Sequence, residues 1–220
     1  MTGNTLHYIY DPLCGWCYAA APLVAAVQQL PGLRIALHGG GMMTGDRRRR
    51  ITPDWRGYVL PHDQRIAQMT GQVFGPGYTD GLLIDTTAWL DSAPPTTAIL
   101  AAEQLAGQGL VMLQRLQKAH YVQGLRIADL PVLQSLAVEL GLPEAGFARA
   151  YAQLEGAPTE AHFVQSRRLL EMAGGQGFPT LALQTAPDAP LQPIDLSGWL
   201  GKPEAFAAAL ASALPAARPG

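Results

Sequence analysis

The chain has little cysteine, little net charge and no long apolar run, and each shortage removes a class of function. Its 220 residues contain two cysteines, Cys14 and Cys17. That is too few for the disulfide framework on which small secreted domains depend. With 48% hydrophobic residues the chain can bury a sizeable core without such staples. A formal net charge of -2 gives no general attraction to nucleic acid or to an anionic membrane surface, so neither is an expected partner. No stretch of roughly 18 or more apolar residues occurs, so nothing reads as a membrane span. Ahead of Cys14, "MTGNTLHYIYD" has no basic start followed by an apolar segment, and the expected compartment is the cytoplasm. The histidines His7, His38, His62, His120 and His162 are scattered, with no pair at zinc-ligand spacing, and no metal is expected.

What is present has a clear order. "LHYIYD", Leu6 to Asp11, is aromatic and β-branched and closes on Asp-Pro, a strand running into a turn. "CYAAAPLVAAVQQL" follows, with Leu23, Val24, Val27 and Leu30 at helical spacing and a stop at Pro31 and Gly32. "LRIALHGG", Leu33 to Gly40, reads as a second strand. From about Thr52 to Gly174 helix signals dominate: "TPDWRGYVLPHDQRIAQM", "TTAILAAEQLAG", "LVMLQRLQKAHYVQG", "LPVLQSLAVELG" and "TEAHFVQSRRLLEMAGG". Several end on glycine, a common helix stop. "FPTLAL" and "LQPIDL" return to strand character, "KPEAFAAALASAL" closes as a helix, and "PAARPG" reads as a frayed tail. The fold class is therefore α/β. A β-α-β half and a β-β-α half sharing one sheet fit a thioredoxin-like fold over 1–45 and 175–220, with 46–174 as a large helical insertion. Other α/β folds share this order.

The chemistry concentrates in "YDPLCGWCYAAAP", where both cysteines lie two residues apart. A thiolate, not a thiol, attacks a disulfide, and a helix N-terminus favours negative charge on a sulfur placed there. Cys14 falls at that terminus and Cys17 one turn inward, near enough to resolve a mixed disulfide. Pro12 and Gly15 belong to the active-site turn, Gly15 and Trp16 making it tight, and Trp16 offers an apolar face to a substrate chain. The alternatives are a metal clip, which lacks ligands, and two ordinary buried cysteines.

"CGWCY" after a strand, with "GFPT" at Gly177 to Thr180, resembles the DsbA-like thioredoxin-fold oxidoreductases, particularly their cytoplasmic FrnE-like branch of protein disulfide isomerases. Pro22, "YVQGLRIADLPVLQSLAVELGLPEAGF" and "EMAGGQGFPTLAL" extend the similarity over nearly the whole chain. The resemblance implies a thiol-disulfide oxidoreductase or isomerase, with Cys14 as the nucleophilic, more exposed cysteine and Cys17 as the resolving thiol. Pro179 would be a cis-proline beside the site. Phe178, Pro179 and Thr180 would bind an extended substrate by strand addition, together with Trp16. The substrate would be a disulfide-bearing polypeptide or a low-molecular-weight thiol. No cofactor is implied beyond the redox-active disulfide, with glutathione as a co-substrate. Many relatives bury a carboxylate about six residues before the first cysteine, where this chain has Tyr8; proton relay would fall to water or to Asp11, whose simpler role is to cap the turn.

Other stretches carry less. "HGGGMMTG" lacks the G-x-S-x-G elbow an esterase needs and is no dinucleotide loop. Met42 and Met43 either border a substrate groove or pack in the core. "DRRRR", Asp46 to Arg50, reads as a solvated loop in preference to a seat for an acidic peptide or glutathione. In "DSAPPTTAIL", Thr96 or Thr97 is the expected helix cap, and the resemblance implies that this helix start would border the groove. Trp55, Trp89 and Trp199 are expected to pack. Two alternative functions stand beside disulfide exchange: a glutathione-dependent isomerase or transferase of the kappa or hydroxychromene-carboxylate type, which typically carries serine and lacks the second cysteine, and a chaperone-like peptide-binding module.

Overall fold

Strand β1, Asn4–Tyr10, is an unbroken buried run, which a strand needs when both faces of its sheet are covered. The computed structural model describes residues 3–214. In it β1 pairs in parallel with β2, Leu33–Gly39, and antiparallel with β5, Thr180–Gln184. Strand β6, Gln192–Ile194, completes a four-stranded sheet of order β2-β1-β5-β6. Alternation along β1 sorts its side chains. Leu6, Tyr8 and Tyr10 join Leu181 and Leu183 in the main core, while Ile9 joins Ala182 and Ala173 in a smaller cluster on the opposite face.

The parallel pairing of β1 and β2 needs a crossover, supplied by helix α1, Gly15–Val27, which buries Ala19, Ala20, Leu23, Val24 and Val27 and runs through Pro22. The C-terminal helix α8, Pro203–Ala213, packs beside α1. Between β2 and β5 come α2 (Pro53–Thr70), α3 (Ala93–Ala106), α4 (Gly109–Tyr121), α5 (Leu130–Glu139), α6 (Glu144–Leu154) and α7 (Ala157–Met172). Helix α3 touches α4 to α7, and α7 lies along β1 and β2 with Leu169 and Leu170 against the smaller cluster. A two-stranded ribbon, β3 (Arg49–Arg50) with β4 (Trp89–Leu90), ties the start of this helical stretch to its middle. No helix among the described residues is long and apolar enough to cross a membrane.

Two details of the sequence reading change. Helix α3 begins a turn earlier than Thr96, with Ser92 at its N-cap position, because Pro94 and Pro95 fit a first helical turn as well as a loop. Helix α6 was not among the expected helices, and it buries Phe147, Ala150 and Tyr151 at spacings of three and one.

Three histidines meet between the sheet and α7, His7 and His38 from the sheet and His162 from the helix. His7 Nδ1 lies 3.0 Å from His38 Nε2, and His162 Nε2 accepts the Gly39 N–H at 2.9 Å. Burial, reinforced by His7 and His162, pushes His38 down to about 3. A histidine whose folded-state pKa lies below the unfolded value of about 6.5 favours the neutral form, so stability is present above that value and is lost as pH falls below it. Replacing His38 by glutamine is expected to shrink the drop in unfolding midpoint between pH 7 and pH 4, followed by circular dichroism. An equal drop in both proteins would contradict the assignment.

Candidate active site

The end of β1 builds the site. Asp11 turns the chain: its Oδ1 accepts the Leu13 N–H at 2.9 Å, and its carbonyl accepts the Cys14 N–H at 3.1 Å, with Pro12 inside the turn. Cys14 is then the N-cap of α1, with extended backbone, and its Sγ accepts the Cys17 N–H at 3.3 Å. The helix end thus aims a donor at that sulfur, and no acidic residue occupies the first turn to compete. Gly15 and Trp16 are the first two helical residues. They lie inside the helix and not in a separate tight turn, because the capping geometry already begins at Cys14.

Both cysteines are buried, though not equally. Cys14 is 7% exposed and Cys17 0%. Burial pushes the Cys17 thiol well up, and the neighbouring Cys14 pushes it further. The Asp11 N–H approaches Cys17 Sγ at 3.5 Å. From the far side, Cys14 Sγ lies 3.5 Å from the Phe178 carbonyl oxygen, and the Phe178–Pro179 bond is cis, as the family resemblance implied. Thr180 bonds back to the Gly177 carbonyl at 2.8 Å, closing the loop. Of the expected residues, Cys17 and Phe178 meet the Cys14 sulfur, Pro179 follows Phe178 through the cis bond, and Thr180 starts β5, where it pairs with Ile9.

Tyr8 occupies the strand position at which the family resemblance would place a buried carboxylate. Its hydroxyl donates to the Cys17 carbonyl at 3.1 Å, and burial raises its pKa far enough to keep it a neutral phenol, so it anchors the helix start. Asp11 is the carboxyl group beside the resolving thiol. Burial pushes it up to about 6, against three donors that favour the anion: the Met42 N–H at 2.6 Å, the Leu13 N–H and the Ser92 hydroxyl at 2.9 Å. It caps the turn as expected, and it also clamps the turn to the residues after β2 and to the start of α3.

A cavity of about 860 Å³ opens beside Cys14, lined by Trp16, Met42, Met43, Trp55, Tyr58 and Asp63 among others. The two methionines thus border the groove, and Trp55 lines it. Arg47 to Arg50 also line this cavity while all four stay exposed, so the run is solvated as expected, and the ribbon with β4 sets it on the cavity wall as well. Arg49 lies over the Trp55 ring at 4.8 Å and Arg50 over Trp89 at 4.9 Å, while Arg48 faces Asp91 at 3.6 Å. A local charge run says nothing about which strand it will pair with, so this wall was not legible. Thr96 and Thr97 do not line the cavity; Thr97 bonds to Thr159 inside the helical stretch.

A sealed cysteine one turn behind one that lines a cavity suits disulfide exchange, and the sheet order is that of the thioredoxin-like class, whose thiol-disulfide oxidoreductases keep a cis-proline against the leading sulfur. Comparison with solved structures narrows the class. The chain is 55% identical to the cytosolic disulfide reductase DsbM from Pseudomonas aeruginosa, with a TM-score of 0.88, covering 95% of this chain and 98% of that one. The same protein solved with GSH gives 53% identity and the same TM-score and coverage. A protein disulfide isomerase candidate from Nitrosomonas europaea, 23% identical over 96% of this chain and 97% of that one, shares the fold with a TM-score of 0.76. No protein-family model matches the chain, and no curated protein does. The chain belongs to the DsbA-like family of thioredoxin-fold oxidoreductases, and it is a thiol-disulfide oxidoreductase.

Proposed function

We propose that this protein reduces disulfides in the cytoplasm, with Cys14 as nucleophile, Cys17 as resolving thiol and glutathione as the thiol that restores the pair. The Cys14 thiolate attacks one sulfur of the substrate disulfide, forms a mixed disulfide and expels the other sulfur, which leaves as a thiol after taking a proton. Cys17 then gives up its proton and attacks the Cys14 sulfur, releasing the second substrate thiol and leaving Cys14–Cys17 oxidised. Two glutathione molecules reduce that disulfide and leave as one glutathione disulfide. No other cofactor is needed.

The placement of Cys14 on the cavity wall with Cys17 sealed behind it carries the reading, since only a sulfur that a substrate can meet can open the cycle and only a neighbouring one can close it. The backbone at Phe178 to Thr180 offers strand addition to an extended polypeptide, and Trp16 offers it an apolar face. Support for glutathione comes from the guanidinium wall, which suits its two carboxylates, and from DsbM having been solved with GSH. Support for the cytoplasm comes from the description of DsbM as cytosolic, and a reducing compartment favours net reduction.

The test is trapping. Cys17→Ser incubated with glutathione disulfide, and separately with insulin, is expected to accumulate a mixed disulfide at Cys14 detectable by mass spectrometry. Wild type is expected to catalyse insulin reduction by glutathione. No adduct at Cys14 would remove the nucleophile assignment, and trapping without turnover by glutathione would remove the reductant.

A further inference from the structure

Helix α2 is largely a surface helix whose buried residues are Asp63 and Ile66. A carboxyl group that is 5% exposed is costly to keep without a counter-charge. Asp63 has none: among the described residues it joins no ion pair, and its one hydrogen bond is at Oδ2, from the Tyr78 hydroxyl at 3.0 Å. Oδ1 is left free and is aimed at the residue after Cys14, so that a methyl on Gly15 would sit 3.3 Å from it. Asp63, Cys14, Gly15 and Trp16 all line the same cavity.

Resting on the reductase reading above, we propose that Asp63 is a catalytic acid, giving its proton to the substrate sulfur that departs when Cys14 attacks. The bond formed joins Cys14 Sγ to one substrate sulfur, and the bond broken is the substrate disulfide. The electron pair goes to the departing sulfur, the proton comes from the Asp63 carboxyl, and the resulting carboxylate is reprotonated from solvent.

The other buried titratable groups around Asp63 do not fill this role. Cys14 is the attacking group. Burial raises Tyr78 and Tyr121 so that neither releases a proton near neutral pH. His120, packed on Tyr78 with Nδ1 unpartnered, is pushed by burial down to about 4 and is neutral. On α2 itself, the exposed His62 lines the cavity and Arg65 lies over Trp16; Asp46, Arg47 to Arg50 and Asp54 complete the charged wall. Asp11 is 0% exposed and lies off the cavity. Burial pushes Asp63 up to about 7, only partly offset by the Tyr78 bond, so about half of the molecules hold the proton there at neutral pH. An aliphatic thiolate of pKa about 8.5 takes that proton downhill.

Leaving-group dependence tests this. An aliphatic disulfide, bis(2-hydroxyethyl) disulfide, expels a basic thiolate that needs the acid. An aromatic one, 4,4′-dithiodipyridine, expels a weakly basic thiolate that does not. In Asp63→Asn the ratio of aliphatic to aromatic single-turnover rates is expected to fall by about tenfold or more. In wild type the aliphatic rate is expected to decline relative to the aromatic rate as pH rises through about 7. Tyr78→Phe, which removes the bond holding the carboxyl down, is expected to move that decline to higher pH. An unchanged ratio in Asp63→Asn, whether both rates fall together or neither falls, overturns the proposal, as does a decline that ignores Tyr78→Phe. Failure of wild type to react with either disulfide would instead sink the reductase reading.

Discussion

Cys14→Ser is expected to fold as well as the parent and to retain no more than background disulfide reduction, a loss of about 1000-fold or more. The two halves of this result have different causes. A serine hydroxyl at the N-cap can accept the Cys17 N–H as the sulfur does at 3.3 Å, and serine is among the preferred caps, so α1 keeps its start. The hydroxyl does not ionise near neutral pH and forms no disulfide, so the first step of exchange has no nucleophile. Insulin reduction by glutathione and thermal unfolding measure the two halves. Turnover above a few per cent of wild type would show that another group opens the cycle.

The second large effect is expected at Gly40, which touches no sulfur. Gly40 donates its N–H to the Tyr10 carbonyl at 2.7 Å, extending the β1–β2 ladder to the lip of the site. A methyl there would overlap the ring of Phe178. That ring is packed against the core clusters on both sides, and its residue supplies the carbonyl that meets Cys14 Sγ at 3.5 Å. Gly40→Ala must therefore displace the loop before Pro179. Overpacking of this kind costs about 1–3 kcal/mol, and displacing a contact to the reacting atom lowers kcat/KM by roughly tenfold to hundredfold. Phe178→Val in the same chain makes room for the methyl and is expected to recover the unfolding midpoint. If Gly40→Ala alone keeps full activity, the loop is not positioned by this contact.

The parts of the molecule that the sequence makes legible are those where local order and function coincide. Cys14 and Cys17 lie on one chain segment whose strand, turn and helix signals are contiguous, so their placement follows from spacing alone. The Phe178–Pro179 loop required the family resemblance, since nothing in a Phe-Pro dipeptide states which strand it will flank. Helix α6 is diluted by alanine and glycine, and its three apolar contacts fall short of the stripe that helix recognition uses. Asp63 is harder still. On α2 it reads as one more polar residue of a surface helix, and its meaning depends on Tyr78 and Gly15 arriving from separate segments. Arg47 to Arg50 form a wall because Leu90 and Trp89 pair with Arg49 and Arg50, a register that no local pattern announces.

The burial of Cys17 one turn behind Cys14 also decides how the protein meets peroxide. An oxidant from outside encounters the leading sulfur first and converts it to a sulfenic acid. The thiol behind it can condense with that species, expelling water and closing the pair, before a second oxygen makes the damage irreversible.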